Sequence, residues 1–482
     1  METLSEETKY KTRYNRWLVG LLGLLGALEG IAAVVLMDQG FLRSLLLLVI
    51  PLGLFTLLFL DKPVALLVLV FLSLPLFQRE VNVGLYWLSL VDLTLYFYIL
   101  ASLVKDLMPS KPKSSSIPFG GHLGIAALLL LPSFLNTPSY WLSLKDWIRY
   151  LLAVAAYVSV YRGLMATPKR ARWTNMLIYL LAGGGCASAI AYLVDFIRRG
   201  HWGVSSIIAI YQNRPTGLFI DPNYFAEFLI TIVPLTTSLL LAASSPALRV
   251  AAGATIALSV LAIVLTFSRS ALLVLAGVGA ILFFLLLRSE GGQRVKGLAI
   301  GAVCLLVFLA IVLIWANPAR PSLLLERIST LATWQEYSLK SRWLILQTAA
   351  NMIRRHPFIG VGLGAFEKVF DNYRPEGFFQ SWQVAHNTFA RLWAETGILG
   401  FGAIALLTLR IIRYLIHRFS TAQDKYWRRV LAGLFAGWLG SVLMSLTLDQ
   451  FQLVYFWIYL GLTVAVAEIA RGEPSGANHP SP

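Results

Sequence analysis

A histidine followed by an asparagine, His386 and Asn387, stands in the stretch SWQVAHNTFARLWAETGILGFG, where a polar loop passes into a long apolar run. An unperturbed imidazole titrates near 6.5, so His386 is a competent general base at neutral pH. Asn387 is placed to cap the helix that follows, or to orient the imidazole or a substrate hydroxyl. A lone histidine at a helix start serves equally well as a cap or a packing residue. Its chemical meaning depends on what gathers beside it.

Three arginines are candidates for that company: Arg214 in NRPTG, Arg269 in TFSRSALL and Arg342 in SLKSRWLILQ. A guanidinium makes charge-assisted, often bidentate bonds to phosphate, so several arginines on one face suit an anion with many oxygens. Each also has a plainer reading. Arg269 marks an interface by snorkelling, Arg342 anchors an amphipathic helix at the headgroups, and Arg214 is a loop charge beside an RPTG turn. For Arg269 the very tight connection between two apolar runs favours function. Gly362 and Gly364, in GVGLG (360–364), either supply N–H donors as an anion nest or only make a tight turn. Arg391 and Glu395 stand four apart and pair on one helix face, while Gly397 and Gly400 admit a close neighbour.

No His/Cys cluster has metal-ligand spacing, and no Walker loop or dinucleotide fingerprint is present. No metal, cofactor or ATP hydrolysis is expected, so arginines would neutralise phosphate charge. Cys186 and Cys304 lie inside apolar runs and read as small buried residues.

The elements that position these residues are transmembrane helices. Of 482 residues, 57% are hydrophobic and 13% charged, and the mean hydropathy is +0.71. Such an apolar excess must face lipid. Apolar runs near 17–37, 41–60, 63–78, 85–104, 119–136, 143–162, 174–197, 225–243, 248–267, 270–288, 297–316, 387–410, 429–447 and 451–470 predict an all-α polytopic protein of about fourteen spans. METLSEETKYKTRYNR precedes the first run with no small-residue cleavage site after it, which reads as an uncleaved first span.

The net charge of +16 comes from short basic clusters between spans and not from a nucleic-acid face. With the N-terminus inside, KDLMPSKPKSSS, YRGLMATPKRARW, RSEGGQRVK and HRFSTAQDKYWRR are inner connections rich in Lys and Arg. MDQG and TLDQ are outer connections nearly free of them. Both termini are then cytoplasmic and the candidate residues face outward. Two outer connections are long, 198–224 and 317–386. In the second, SLKSRWLILQTAANMIRR (338–355) places Trp343, Leu346, Ala350 and Ile353 on one face, predicting an amphipathic helix on the membrane surface. The expected organisation is a scaffold over 1–200, a catalytic region over 201–415, C-terminal spans over 416–470 and a disordered tail over 471–482.

The segments NRPTGLFIDPNYFAEFL (213–229), LTFSRSALLVLAGVGA (265–280), SRWLILQTAANMIRRHPFIGVGLGAF (341–366) and AHNTFARLWAETGILGFG (385–402) resemble, in order, the bacterial O-antigen ligase and O-antigen polymerase superfamily. The resemblance covers roughly 200–415. It implies a metal-independent, inverting glycosyltransferase of the GT-C type in the bacterial inner membrane. Its donor would be a glycan on undecaprenyl diphosphate, and its acceptor a lipid A-core sugar or a growing glycan. Carried over, Arg269 and Arg342 bind the diphosphate with Arg214 helping, and His386 takes the acceptor proton. Asn223, Asn387, Gly362 and Gly364 join in substrate binding. Transfer to protein hydroxyls is an alternative within the class. A lipid-linked oligosaccharide flippase or polysaccharide exporter is the rival outside it, predicting midplane charges and repeated halves.

Overall fold

In the computed structural model the described residues are 63–76, 80–83, 86–107, 116–198, 214–290, 337–378, 384–450 and 453–472. The chain divides into two compact units, Met1–Pro112 and Lys113–Pro482.

In the first unit, α1 (Leu66–Ser73) lies between two 3-10 turns, Pro63–Ala65 and Leu74–Leu76. Pro75, which has no N–H to continue a helix, sits in the second turn. An antiparallel hairpin follows, β1 (Glu80–Val83) against β2 (Tyr86–Ser89), with Glu80 opposite Ser89 and Val83 opposite Tyr86. Next comes α2 (Leu90–Leu107), capped where Ser89 N and Oγ both donate to Asp92 Oδ2, at 2.9 and 2.8 Å. The expected span at 85–104 therefore opens on a strand, and the protein is not purely α. VNVGLYW places β-branched residues before a glycine and aromatic residues after it, a hairpin signal that hydropathy averaging hides.

The second unit is helical among the described residues: α3 (Gly120–Leu130), α4 (Tyr140–Ala166), α5 (Arg170–Arg198), α6 (Pro222–Ala242), α7 (Pro246–Leu265), α8 (Arg269–Glu290), α9 (Tyr337–Arg355), α10 (Thr388–Thr421), α11 (Lys425–Met444) and α12 (Val454–Ala470). Six of them, α4 to α8 and α10, are long and apolar enough to cross a membrane. The protein is a polytopic helical membrane protein. Six spans, and not fourteen, meet that criterion among the described residues; the expected spans near 17–37, 41–60 and 297–316 lie outside them.

Small residues set the packing of α11 on its neighbours. Gly433 lies against the Pro234 carbonyl of α6, and Gly440 against Ile230 of α6 and Val278 of α8. The connections gather at two ends. At one end Tyr224 Oη donates to Asp449 O (2.9 Å), Arg214 Nη1 to Thr266 O (3.2 Å) and Thr388 N to Ser445 O (2.8 Å). At the other, Tyr426 Oη donates to Asn175 Oδ1 (2.7 Å) and Arg429 Nη1 to Leu241 O (3.0 Å). This second end carries Lys169, Arg170, Arg172, Lys425 and Arg428.

Residues 337–378 form a small cap at the first end. Its core joins Ile345, Ala349 and Met352 of α9 to Val361, Phe366, Phe370 and Phe378. The buried face of α9 is thus shifted from the expected one, and Trp343 stays 49% exposed. The aromatic residues that follow the helix supply a better apolar partner than the stripe alone reveals, because burial there removes both surfaces from water.

Candidate active site

Helix α10 begins at the site, and its start is fixed by its own sequence and by a neighbouring connection. Asn387 is the N-cap, its Oδ1 accepting from Ala390 N at 2.9 Å. The capping reading of Asn387 therefore describes its side-chain oxygen. Thr388 Oγ1 donates to Leu448 O (2.6 Å) and accepts from Gln450 N (2.9 Å), tying the helix start to the connection between α11 and α12. One residue before the cap, His386 is half-buried with φ +49°, in the left-handed region that residues with a Cβ seldom use.

Burial holds the His386 imidazole below its usual value, and the Arg342 guanidinium acts in the same direction; Asp449 and Asp221 oppose both. Charges from three other chain segments thus act on the histidine. Arg342 comes from the first turns of α9, Asp221 from the N-cap of α6, and Asp449 from the connection after α11. The neutral imidazole, the form able to accept a proton, is the one this environment favours.

Arg214 and Arg269 belong to a second cluster at the same end. The Arg214 guanidinium binds the carbonyl of Thr266, three residues before Arg269 opens α8. The RPTG turn is held in its turn by Asp195 of α5, whose Oδ2 accepts from Thr216 N and Gly217 N, both at 3.3 Å. Phe267, at φ +55°, makes the reversal between α7 and α8 tight enough to bring Arg269 to the helix mouth. Asn223 lies in the first turn of α6, its N–H donating to the capping Asp221 carboxylate at 2.6 Å.

The GVGLG loop does something sequence reasoning did not anticipate. Helix α10 is broken at Gly397 (φ +61°, ψ −166°), and the loop fills the break. Val361 N donates to Ala394 O (2.9 Å), Gly362 N to Glu395 O (3.0 Å), Ile398 N to Pro357 O (2.8 Å) and Leu399 N to Phe358 O (3.3 Å). Gly362 N–H is committed to the chain's own carbonyl, and a Cβ at Gly364 would fall 2.6 Å from Asp146 Oδ2. Both glycines therefore act in this structure as a backbone clasp on α10 and α4.

Inside the clasp, Arg391 pairs with Glu395 (Nε–Oε1 3.0 Å) and reaches Asp146 of α4 (Nη2–Oδ2 3.4 Å). Glu395 Oε1 also accepts from Phe366 N at 3.2 Å. The expected Arg391–Glu395 pair is present, and it continues into a second carboxylate that spacing along one helix cannot reveal. Beside it a cleft of about 340 Å³ is walled by Thr388, Arg391, Glu395, Asp449 and Gln450, with Leu363 and Leu392 as apolar sides. Asp449, Gln450, Asp221 and Asp146 were not singled out from the sequence. The available signal was a carboxylate and an amide in the short TLDQ connection between apolar helices.

Residues 254–405 match the family model described as O-antigen ligase. Over this segment the chain is similar to the O-antigen ligase family. The matched segment includes Arg269, Arg342, Gly362, Gly364, His386 and Asn387, and it leaves out Arg214, Asn223 and Asp449. A search of curated proteins gives no match to the chain. The family supports a glycosyltransferase-like enzyme in a multi-pass membrane protein, with lipid-linked glycans as the general class of substrate. Among the described residues, no group of three or more His, Cys, Asp or Glu side chains is arranged to hold a metal ion.

Proposed function

We propose that the protein is a metal-independent, inverting membrane glycosyltransferase. It moves a glycan from an undecaprenyl-diphosphate carrier to an acceptor hydroxyl at the extracytoplasmic face of the inner membrane. The observation that carries this reading is His386: half-buried, strained, its base form favoured, and under the field of Arg342 at the mouth of α10. The acceptor oxygen attacks the anomeric carbon while its proton passes to the imidazole. The bond from that carbon to the diphosphate oxygen breaks on the opposite face, so the configuration inverts. Arg342 and Arg269, with Arg214 assisting, stabilise the charge that develops on the departing diphosphate. The basic opposite end supports an outward-facing site through the positive-inside bias.

The test is a glycan profile of a deletion strain complemented with wild type or with His386→Ala, separating surface glycan from carrier-linked glycan. His386→Ala is expected to insert normally and to strand glycan on the carrier at the outer leaflet. Long stranded chains identify a ligase, and single repeats a polymerase. Normal surface glycan with His386→Ala would remove the base assignment. Carrier-linked glycan held on the cytoplasmic side would replace the transferase with a flippase.

A further inference from the structure

Helix α10 carries its own measure of depth in the membrane. After Gly397 it is helical without interruption to its end. Ile398, Leu399, Leu406 and Leu409 stay exposed along it, and exposed Arg410, Arg413 and His417 follow. In a helix long and apolar enough to cross a membrane, exposed leucines face lipid, and the arginines mark an edge of the hydrocarbon core. A helix rises about 1.5 Å per residue, and tilt only shortens that height. Leu399 therefore lies at most about 16 Å from the level of Arg410, and about 21 Å from that of Arg413. The hydrocarbon core is about 30 Å thick, so Leu399 is inside it.

The cap meets α10 at this depth. Phe358 O accepts from Leu399 N (3.3 Å), and Pro357 O from Ile398 N (2.8 Å). The Phe358 ring takes no part in the cap core and is 70% exposed. Leu135, 78% exposed, stands beside it, because its neighbour Asn136 donates from Nδ2 to Gly360 O at 2.8 Å. Phe358, Leu135, Ile398 and Leu399 thus continue the lipid-facing surface of α10 onto the cap.

The backbone of the loop suits a medium without water. The carbonyls of His356, Pro357, Phe358 and Gly360 all accept hydrogen bonds, from Gly360 N (3.1 Å), Ile398 N, Leu399 N and Asn136 Nδ2. Non-helical backbone at membrane depth is tolerated only where the protein satisfies such groups. The loop also serves the broken helix, since Val361 N and Gly362 N bond the Ala394 and Glu395 carbonyls that the break sets free. Exposed Arg354 and Arg355, just before the loop, limit the insertion to its tip.

We infer that the tip of the cap, 357–359, is inserted into the leaflet at the cap's end, with Phe358 and Leu135 against the acyl chains of the bilayer. This contact anchors α9, which carries Arg342, to the membrane at the level of the broken helix. It does not depend on the transferase reading.

The experiment uses the full-length protein in phosphatidylcholine nanodiscs, with both native cysteines replaced by serine and a nitroxide attached at Phe358→Cys, Leu135→Cys, Leu406→Cys or Glu376→Cys. All four side chains are exposed, so labelling leaves the backbone clasp intact. Power saturation compares collisions with oxygen, which concentrates among acyl chains, and with a water-soluble nickel chelate. Leu406→Cys sets the lipid reference and Glu376→Cys the aqueous one. Phe358→Cys and Leu135→Cys are expected to give an oxygen-to-nickel ratio several-fold above that of Glu376→Cys. A ratio at Phe358→Cys equal to the aqueous reference would overturn the inference and leave the tip in water. Shielding of that label from both reagents would also overturn it, by placing protein over the patch, from this chain or a second copy. No turnover enters the readout, so either failure leaves the proposed reaction standing.

Discussion

His386 illustrates how a single side chain acquires chemistry from neighbours that are far away in the sequence. Burial and Arg342 push its imidazole down, and Asp449 and Asp221 push it up. If the imidazole is the base, the acid limb of the pH–rate profile falls below the ordinary value of about 6.5. Activity is then complete at neutral pH and lost as protonation removes the base. Arg342→Gln deletes a positive neighbour and should move the limb to higher pH; Asp449→Asn deletes a negative one and should move it lower. The rate of undecaprenyl diphosphate release against pH measures both, and a limb that stays put in the two variants would assign the titration to another group. Arg342→Lys keeps the charge but not the planar fork, and should cut the rate about tenfold or more at saturating donor. A lysine variant with full activity would reduce Arg342 to a long-range charge.

The break in α10 is the feature that most depends on its element. Gly360 and Gly397 let two backbones touch: a Cβ on either would lie 2.2 Å from a carbonyl carbon of the other segment, at Glu395 or Phe358. Both have positive φ, +69° and +61°. Gly397→Ala should therefore cost on the order of 3 kcal/mol, summing left-handed strain and overpacking. Gly377→Ala, at φ +78° with nothing within 4 Å, should cost only about 1 kcal/mol. Thermal unfolding in detergent distinguishes the two, and equal shifts would contradict the clasp. Arg391→Leu would leave Glu395, 2% exposed, without its cation, while Asp146 keeps Arg149 at 4.0 Å; about 3–5 kcal/mol is the usual loss when such a buried pair is broken. Of these features the sequence showed the loop, the glycines and the Arg391–Glu395 spacing. It concealed the break, because the apolar run passes through Gly397 without a change in hydropathy and the freed carbonyls are satisfied by residues more than thirty positions earlier.

Across the whole molecule the two ends of the second unit differ in charge, and this can be tested without an activity assay. With both native cysteines replaced by serine, Glu376→Cys in the cap should react with a membrane-impermeant maleimide in spheroplasts. Ser420→Cys, exposed at the basic end, should react only after lysis. The reverse pattern would invert the topology and leave the site facing the cytoplasm.

Composition and the spacing of basic clusters were enough to establish a helical membrane protein with one basic end, because hydropathy and net charge are sums over local residues. The order of four short segments was enough to point to the superfamily. The face that α9 buries, the hairpin before α2, and the action of Arg342, Asp221 and Asp449 on His386 belong to the tertiary structure. Each depends on a partner remote in the chain: an aromatic cap core, a paired strand, a carboxylate from another connection. Local pattern records what a residue can do, and only packing decides which neighbour it does it with.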